Sequence, residues 1–233
     1  MPSPAAEPGP EPGGAAGAGA GAETVSHPLF ARFYTRLSES AEQRAGVGAH
    51  REELLAGLTG QVVEVGAGNG LNFARYPSGV SRVVAVEPEP RLRRSAEAAA
   101  ERARVPVEVL PGSARALPLP DRSCDAAVCS LVLCSLPDVP VALLELRRVL
   151  RPGGELRFYE HQRAEGRRML RVQRALDRTV WPLLFGGCHT SRDPVREIGA
   201  AGFTGISFRR LLVPGEGPVF PSSFHVLGSA RCP

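Results

Sequence analysis

The stretch GQVVEVGAGNG, residues 60–70, sets a short apolar run directly before three glycines at alternate positions, Gly66, Gly68 and Gly70. An apolar run of this length closed by glycine reads as a buried strand. Glycine lets the chain turn sharply and lets a ligand come against the backbone with no Cβ in the way. A helix start after such a turn offers free N–H groups. Together these features describe the edge of an open α/β sheet that holds a nucleotide-type ligand against its own backbone.

The rest of the chain fits that reading. SRVVAVEP is a second strand and EPRLRRSAEAAAERAR the helix after it. VPVEVLPG and CDAAVCS are a third and a fourth strand, and VPVALLELRRVLR is a helix stopped by the turn Pro152-Gly153-Gly154. GELRFYEH is a fifth strand, residues 163–201 are mostly helical, and FTGISFRRLLV and SFHVLGSAR close the chain as two more strands. Strands alternating with helices predict a mainly parallel sheet covered on both faces. Upstream, Leu29, Phe30, Phe33 and Leu37 have helical spacing, and AHREELLAGL is a second helix. Residues 1–24 are dominated by Ala, Gly and Pro; such a segment cannot bury enough apolar area to offset its ordering entropy and is expected to be disordered. One domain over residues 25–233 follows.

Composition removes several function classes. The net charge of +4 and pI near 9.1 could suggest nucleic acid, but all 28 basic residues are Arg and they are interleaved with 24 acids, so no basic block forms. The five cysteines are odd in number and none forms C-x-x-C, so neither a zinc site nor a disulfide framework is signalled; no metal is expected, and the chain reads as a reduced, cytoplasmic protein. The apolar stretch of residues 126–136 falls well short of the ~20 residues of a membrane span. The N-terminus lacks the basic patch and apolar core of a signal peptide.

The glycine spacing narrows the ligand. A dinucleotide fingerprint is G-x-G-x-x-G, and here Leu71 stands where its last glycine belongs, which argues against NAD. No G-x-x-x-x-G-K-[ST] is present and the chain has no Lys, so a P-loop is excluded. Glu87 ends the second strand, where an acid can accept both hydroxyls of a ribose. Glu89 reads as a solvated acid at the next helix start. Gly112, Ser113 and Ala114 follow the third strand, and Ser130 and Leu131 the fourth.

VVEVGAGNG, VVAVEPEP, GSARALPLPDRSCDAAV and ELRRVLRPGGELRFYEH, taken together, resemble the class I S-adenosylmethionine-dependent methyltransferases over residues 54–160. The resemblance implies a Rossmann-like, doubly wound, seven-stranded sheet with its last strand antiparallel, N-terminal helices and a helical insert as cap. It implies S-adenosylmethionine as cofactor. Glu64, Gly66, Ala67, Gly68 and Gly70 would line the methionine end, Glu87 and Pro88 the ribose, and Gly112, Ser113 and Ala114 the adenine, with Ser130 and Leu131 on the facing loop. Ser113 stands where the family often has Asp, which implies weaker cofactor binding.

CSLVLCSLPD, Trp181, Gly187-Cys188 and TSRDPVREIGAAGF occur in an order similar to the thiol S-methyltransferase-like group, whose animal members carry an N-terminal membrane anchor that this chain is not expected to have. The quinone and sterol C-methyltransferases share most of the core motifs. The reading is therefore methyl transfer to a small molecule, with a thiol among the acceptors; the alternatives are a quinone or natural-product C- or O-methyltransferase and a non-catalytic cofactor-binding module. No N/D-P-P-Y/F tetrapeptide follows the fourth strand, which argues against a nucleic-acid acceptor. His161 and His189 are the candidate general bases, although each also fits an ordinary structural place at a strand end or in a loop. Phe33, Tyr34, Trp181 and Phe185 are the expected acceptor-pocket walls, and Cys188 reads as packing. Oligomeric state has no sequence signal.

Overall fold

The computed structural model describes residues 46–179 and 181–233. The expected tail and the aromatic helix that would carry Phe33 and Tyr34 lie outside the described residues.

Helix α1 (Val47–Leu55) precedes β1 (Gly60–Val65), β2 (Val80–Val86), α2 (Pro90–Ala100), β3 (Val107–Leu110), β4 (Cys124–Ser130), α3 (Val139–Val149) and β5 (Leu150–His161). The helical insert holds α4 (Arg167–Asp177), α5 (Trp181–Leu184) and α6 (Pro194–Ala200), and β6 (Thr204–Leu212) and β7 (Phe224–Arg231) complete the sheet. The seven strands lie in the order β3-β2-β1-β4-β5-β7-β6. β1 to β5 pair in parallel, and β7 runs antiparallel between β5 and β6. The order reverses between β1 and β4, which opens a crevice at their carboxyl ends, the place where such sheets take ligands.

Successive residues of β1 serve opposite faces, as a period of two requires. Val63 and Val65 join Cys129, Leu143 and Ile198 on one side, and Val62 joins Leu54, Val83, Ala96 and Tyr159 on the other. Both faces are therefore buried, which explains the unbroken apolar runs in the sequence. Helix α3 buries Val139, Ala142, Leu143, Leu146 and Val149, a 3-4 spacing that forms one stripe. Each large apolar side chain so buried contributes about 1.5–3 kcal/mol.

Three helices share one start signal, an acid at the N-cap with proline in the first turn. Asp138 accepts from the Val141 N–H and Asp193 from the Arg196 N–H. Glu89 accepts from the Arg91 and Leu92 N–H groups at 2.8 Å and is buried, not solvated as the sequence suggests, because its carboxylate turns back onto the helix it caps. The helix expected through Arg151 ends at Val149, and Leu150 already begins β5; the Pro-Gly-Gly turn lies inside the strand's span.

Candidate active site

The glycine loop lies over the crevice. Gly66, Gly68 and Gly70 all have positive φ, at 66°, 58° and 79°. Gly66 is further constrained, since a Cβ there would stand 2.3 Å from Val132 Cγ2 on the turn after β4. Glycine at 66 therefore lets the two loops that border the crevice come together. The Gly66 N–H donates to the Val86 carbonyl at 2.8 Å, which ties the loop to β2.

Glu87 sits at the tip of β2, 5% exposed. Its Oε2 accepts the Gly68 N–H at 2.8 Å and its Oε1 the Glu89 N–H at 3.0 Å. Burial pushes its carboxyl up to about 7, because these two donors only partly replace lost water. A carboxylate has about four lone-pair sites, so this one has capacity for two more donors. The vicinal hydroxyls of a ribose are such a pair, and the residues present fit S-adenosylmethionine at this point. Beside it, Arg93 Nη1 donates to the carbonyls of Glu87 and Pro88 at 3.1 and 3.3 Å. At the end of β3, Ser113 Oγ accepts from the Arg115 N–H at 3.2 Å, Gly112 packs on Val86, and Ala114 is buried.

Beneath the loop lies a buried polar network for which the sequence offers no spacing rule. Glu64 accepts from Asn72 Nδ2 at 2.8 Å and from the Tyr76 hydroxyl at 2.7 Å. Arg51 of α1 donates through Nη1 to Asn72 Oδ1 and to Ser130 Oγ, both at 2.9 Å. Burial raises the Glu64 carboxyl, against the pull of its donors and of Arg51. Ser130, expected at the cofactor, is thus held from below by Arg51. Buried charge of this kind fixes geometry only when its groups are satisfied.

The turn after β4 is held by a second buried carboxylate. Leu131 has φ 57°, a strained value for a non-glycine residue of the kind that concentrates at functional sites. Its N–H donates to the Tyr159 carbonyl at 2.7 Å. The next three N–H groups, from Val132, Leu133 and Cys134, converge on the Glu160 carboxylate at 3.0, 3.0 and 3.2 Å. Glu160 is fully buried, and burial raises its carboxyl to about 7 despite these donors.

His161 ends β5 beside this turn. Its Nδ1 lies 3.4 Å from Cys134 Sγ and 3.5 Å from Cys188 Sγ, and the two sulfurs are 3.8 Å apart. The hydrogen bond between the sulfurs, with burial, raises Cys134; the same bond and the adjoining imidazole hold Cys188 well below the usual thiol range. Burial of the His161 ring is outweighed by the Cys188 sulfur, so its value rises. Cys188, expected in packing, is buried at 6% exposure, and the fold also brings its sulfur to the candidate base. His189 is held differently, with its backbone N–H on the Cys134 carbonyl at 2.8 Å and its Nδ1 2.7 Å from the Gly187 carbonyl. Trp181 and Phe185 stack on each other with ring centroids 3.9 Å apart, while Leu184 between them is exposed.

The chain is similar to known proteins. A family model described as a methyltransferase domain matches residues 63–158. Thiol S-methyltransferase TMT1B of Rattus norvegicus is 34% identical over 183 residues, 76% of this chain and 73% of its own length. Thiol S-methyltransferase TMT1A of Homo sapiens is 35% identical over 165 residues, 68% of this chain and 67% of its own. The crystal structure of an S-adenosylmethionine-dependent methyltransferase of Thermotoga maritima, titled a possible histamine N-methyltransferase, shares the fold with a TM-score of 0.65 at 24% identity, covering 88% of this chain and 99% of its own.

Proposed function

The chain belongs to the S-adenosylmethionine-dependent methyltransferases, in the group of the thiol S-methyltransferases, and from that premise we propose that it methylates the sulfur of a small-molecule thiol. It is an enzyme that uses S-adenosylmethionine and a small-molecule acceptor. The thiol is our inference, and one observation carries it. The thiol S-methyltransferases match at 34–36% identity over 183 residues, above the 31% over 172 residues of a ubiquinone/menaquinone biosynthesis C-methyltransferase.

The cofactor supplies a methyl group on a positively charged sulfur, already activated for displacement. The protein's part is alignment, which can be worth roughly 7–11 kcal/mol. We assign Glu87 and Pro88 to the ribose, Glu64, Gly66, Ala67, Gly68 and Gly70 to the methionine side, Gly112, Ser113 and Ala114 to the adenine, and Ser130 and Leu131 to the facing wall. Of the two candidate histidines, His161 at the tip of β5 is the better placed to act on the acceptor sulfur, since its Nδ1 faces two sulfurs while His189 is turned to its own loop. Trp181 and Phe185 are proposed as pocket walls, and residues 25–233 as one methyltransferase domain. Among the described residues no helix is long and apolar enough to cross a membrane. We place the chemistry in the reducing cytoplasm, on the five cysteines that stand as free thiols.

Two measurements test this reading. Titration calorimetry with S-adenosylmethionine should give a single-site isotherm, and silence at millimolar ligand would contradict it. Turnover against matched thiols, phenols and quinols should favour thiols; a preference for quinols would move the chain to C- or O-methylation, and binding without turnover would make it a non-catalytic module.

A further inference from the structure

We propose that Cys134, His161 and Cys188 form a zinc site whose fourth position takes the acceptor thiol as its thiolate. The inference deepens the thiol reading and rests on it. Among the described residues these are the one group of three whose ligand atoms stand close enough together to share an ion.

The distances match the ion's own geometry. With Zn–S near 2.3 Å and Zn–N near 2.0–2.1 Å, a regular tetrahedron has S–S edges of about 3.8 Å and S–N edges of about 3.5–3.6 Å. The observed separations are 3.8 Å between the sulfurs and 3.5 and 3.4 Å from each sulfur to Nδ1. Two thiolates and an imidazole are soft to borderline donors that suit zinc, and three protein ligands with one position open is the catalytic arrangement.

Two of the three ligands, Cys134 and Cys188, are held from outside the cluster, as a metal site requires. Glu160 binds the Cys134 N–H. The loop carrying Cys188 is pinned by His189 N–H to the Cys134 carbonyl and by Arg192 Nη1 to the Leu133 carbonyl at 2.6 Å. Asp177 takes the N–H and hydroxyl groups of both Thr190 and Ser191. Gly187 makes the approach possible, since a Cβ there would stand 2.8 Å from the Ser135 carbonyl oxygen. The His225 ring lies tilted against the His161 ring, 4.5 Å between centroids.

The place suits the reaction. Cys134 follows β4 and His161 ends β5, next to the β1–β4 crevice. A thiol entering the open position loses its proton to water and binds as the thiolate. Its sulfur lone pair then forms the new S–CH3 bond as the sulfonium C–S bond breaks and leaves its electron pair on the departing sulfur. The thioether product, a weaker ligand, leaves the ion.

The test uses the full chain and zinc alone as probe. Elemental analysis and competition against a chromophoric chelator should give one zinc per chain. Cys134→Ser, Cys188→Ser and His161→Ala should each weaken it at least about 100-fold, while Cys124→Ser, at a buried cysteine outside the cluster, should leave it unchanged; circular dichroism melts report whether each variant folds. Cobalt(II) in place of zinc should show tetrahedral thiolate bands that shift on adding a thiol and not a phenol. No zinc uptake by the wild type, retention by the three variants, or a Cys134–Cys188 disulfide in metal-free fresh protein would overturn the site. Undiminished thiol methylation by chelator-stripped protein would overturn its part in the reaction and leave the thiol reading standing. Zinc binding without any thiol turnover would overturn the thiol reading and the acceptor's place on the ion, and leave the metal site standing.

Discussion

The Glu87 carboxylate at the tip of β2 accepts the Gly68 N–H of the glycine loop at 2.8 Å, so the acid proposed to grip the ribose also fixes the loop that would face the methionine end. Glu87→Ala should therefore weaken S-adenosylmethionine binding by roughly 10–100-fold, the range for loss of hydrogen bonds to a charged group. Titration calorimetry checks it, and unchanged affinity would remove Glu87 from the site.

The same carboxyl makes a pH prediction. Its folded value, about 7, lies above the ordinary 4.5, so its contribution to stability is fully present below about pH 4.5 and is lost as pH rises through about 7. Glu87→Gln stays neutral throughout. The melting temperature of the variant should gain on the wild type between these two values and level off above them; a difference independent of pH would refute the assignment. Ribose hydroxyls favour the charged form, so wild-type cofactor affinity should rise over the upper part of the same window while that of the Gln variant stays flat.

Glu160→Ala leaves the N–H groups of Val132, Leu133 and Cys134 without their acceptor in a buried turn. Orphaned buried donors cost about 1–3 kcal/mol each before water enters, so a loss of roughly 3 kcal/mol or more is expected, a fall in melting temperature of about 6–12 °C. Glu160→Gln keeps one acceptor oxygen and should fall between. Differential scanning calorimetry distinguishes the three proteins.

Gly66→Ala adds a Cβ at φ 66° and 2.3 Å from Val132 Cγ2. Backbone strain of about 1–2 kcal/mol and overpacking of about 1–3 kcal/mol combine. Adding Val132→Ala removes the clashing methyl and leaves the strain. Denaturant unfolding of the double variant should show less destabilisation than the sum of the singles, by at least about 0.5 kcal/mol; simple additivity would mean the loops do not touch as described.

The parts of the site that were legible in sequence are those set by neighbours along the chain. A strand, three glycines and an acid ending the next strand each carry their own local signal, and the fold sets the Gly68 N–H on the Glu87 carboxylate. Glu89 shows the limit. Its position before Pro90 marks a helix start, but whether it faces water or caps the helix depends on a side-chain rotamer and on burial. Arg51 shows it more sharply, since it meets Ser130 from 79 positions away and nothing in its own segment announces that contact.

The sequence by itself determined the alternation of strand and helix, the crevice-forming glycine turn and the family, because hydrophobic period, turn chemistry and motif spacing are properties of adjacent residues. Only the tertiary structure decided that Glu160 would gather three N–H groups from the turn after β4, and that Cys134, His161 and Cys188 would meet within 3.8 Å. Those meetings depend on the pairing of β4 with β5 and on how the helical insert folds back over their ends. Spacing along a chain measures contour length, and chemistry at a site depends on distance through space.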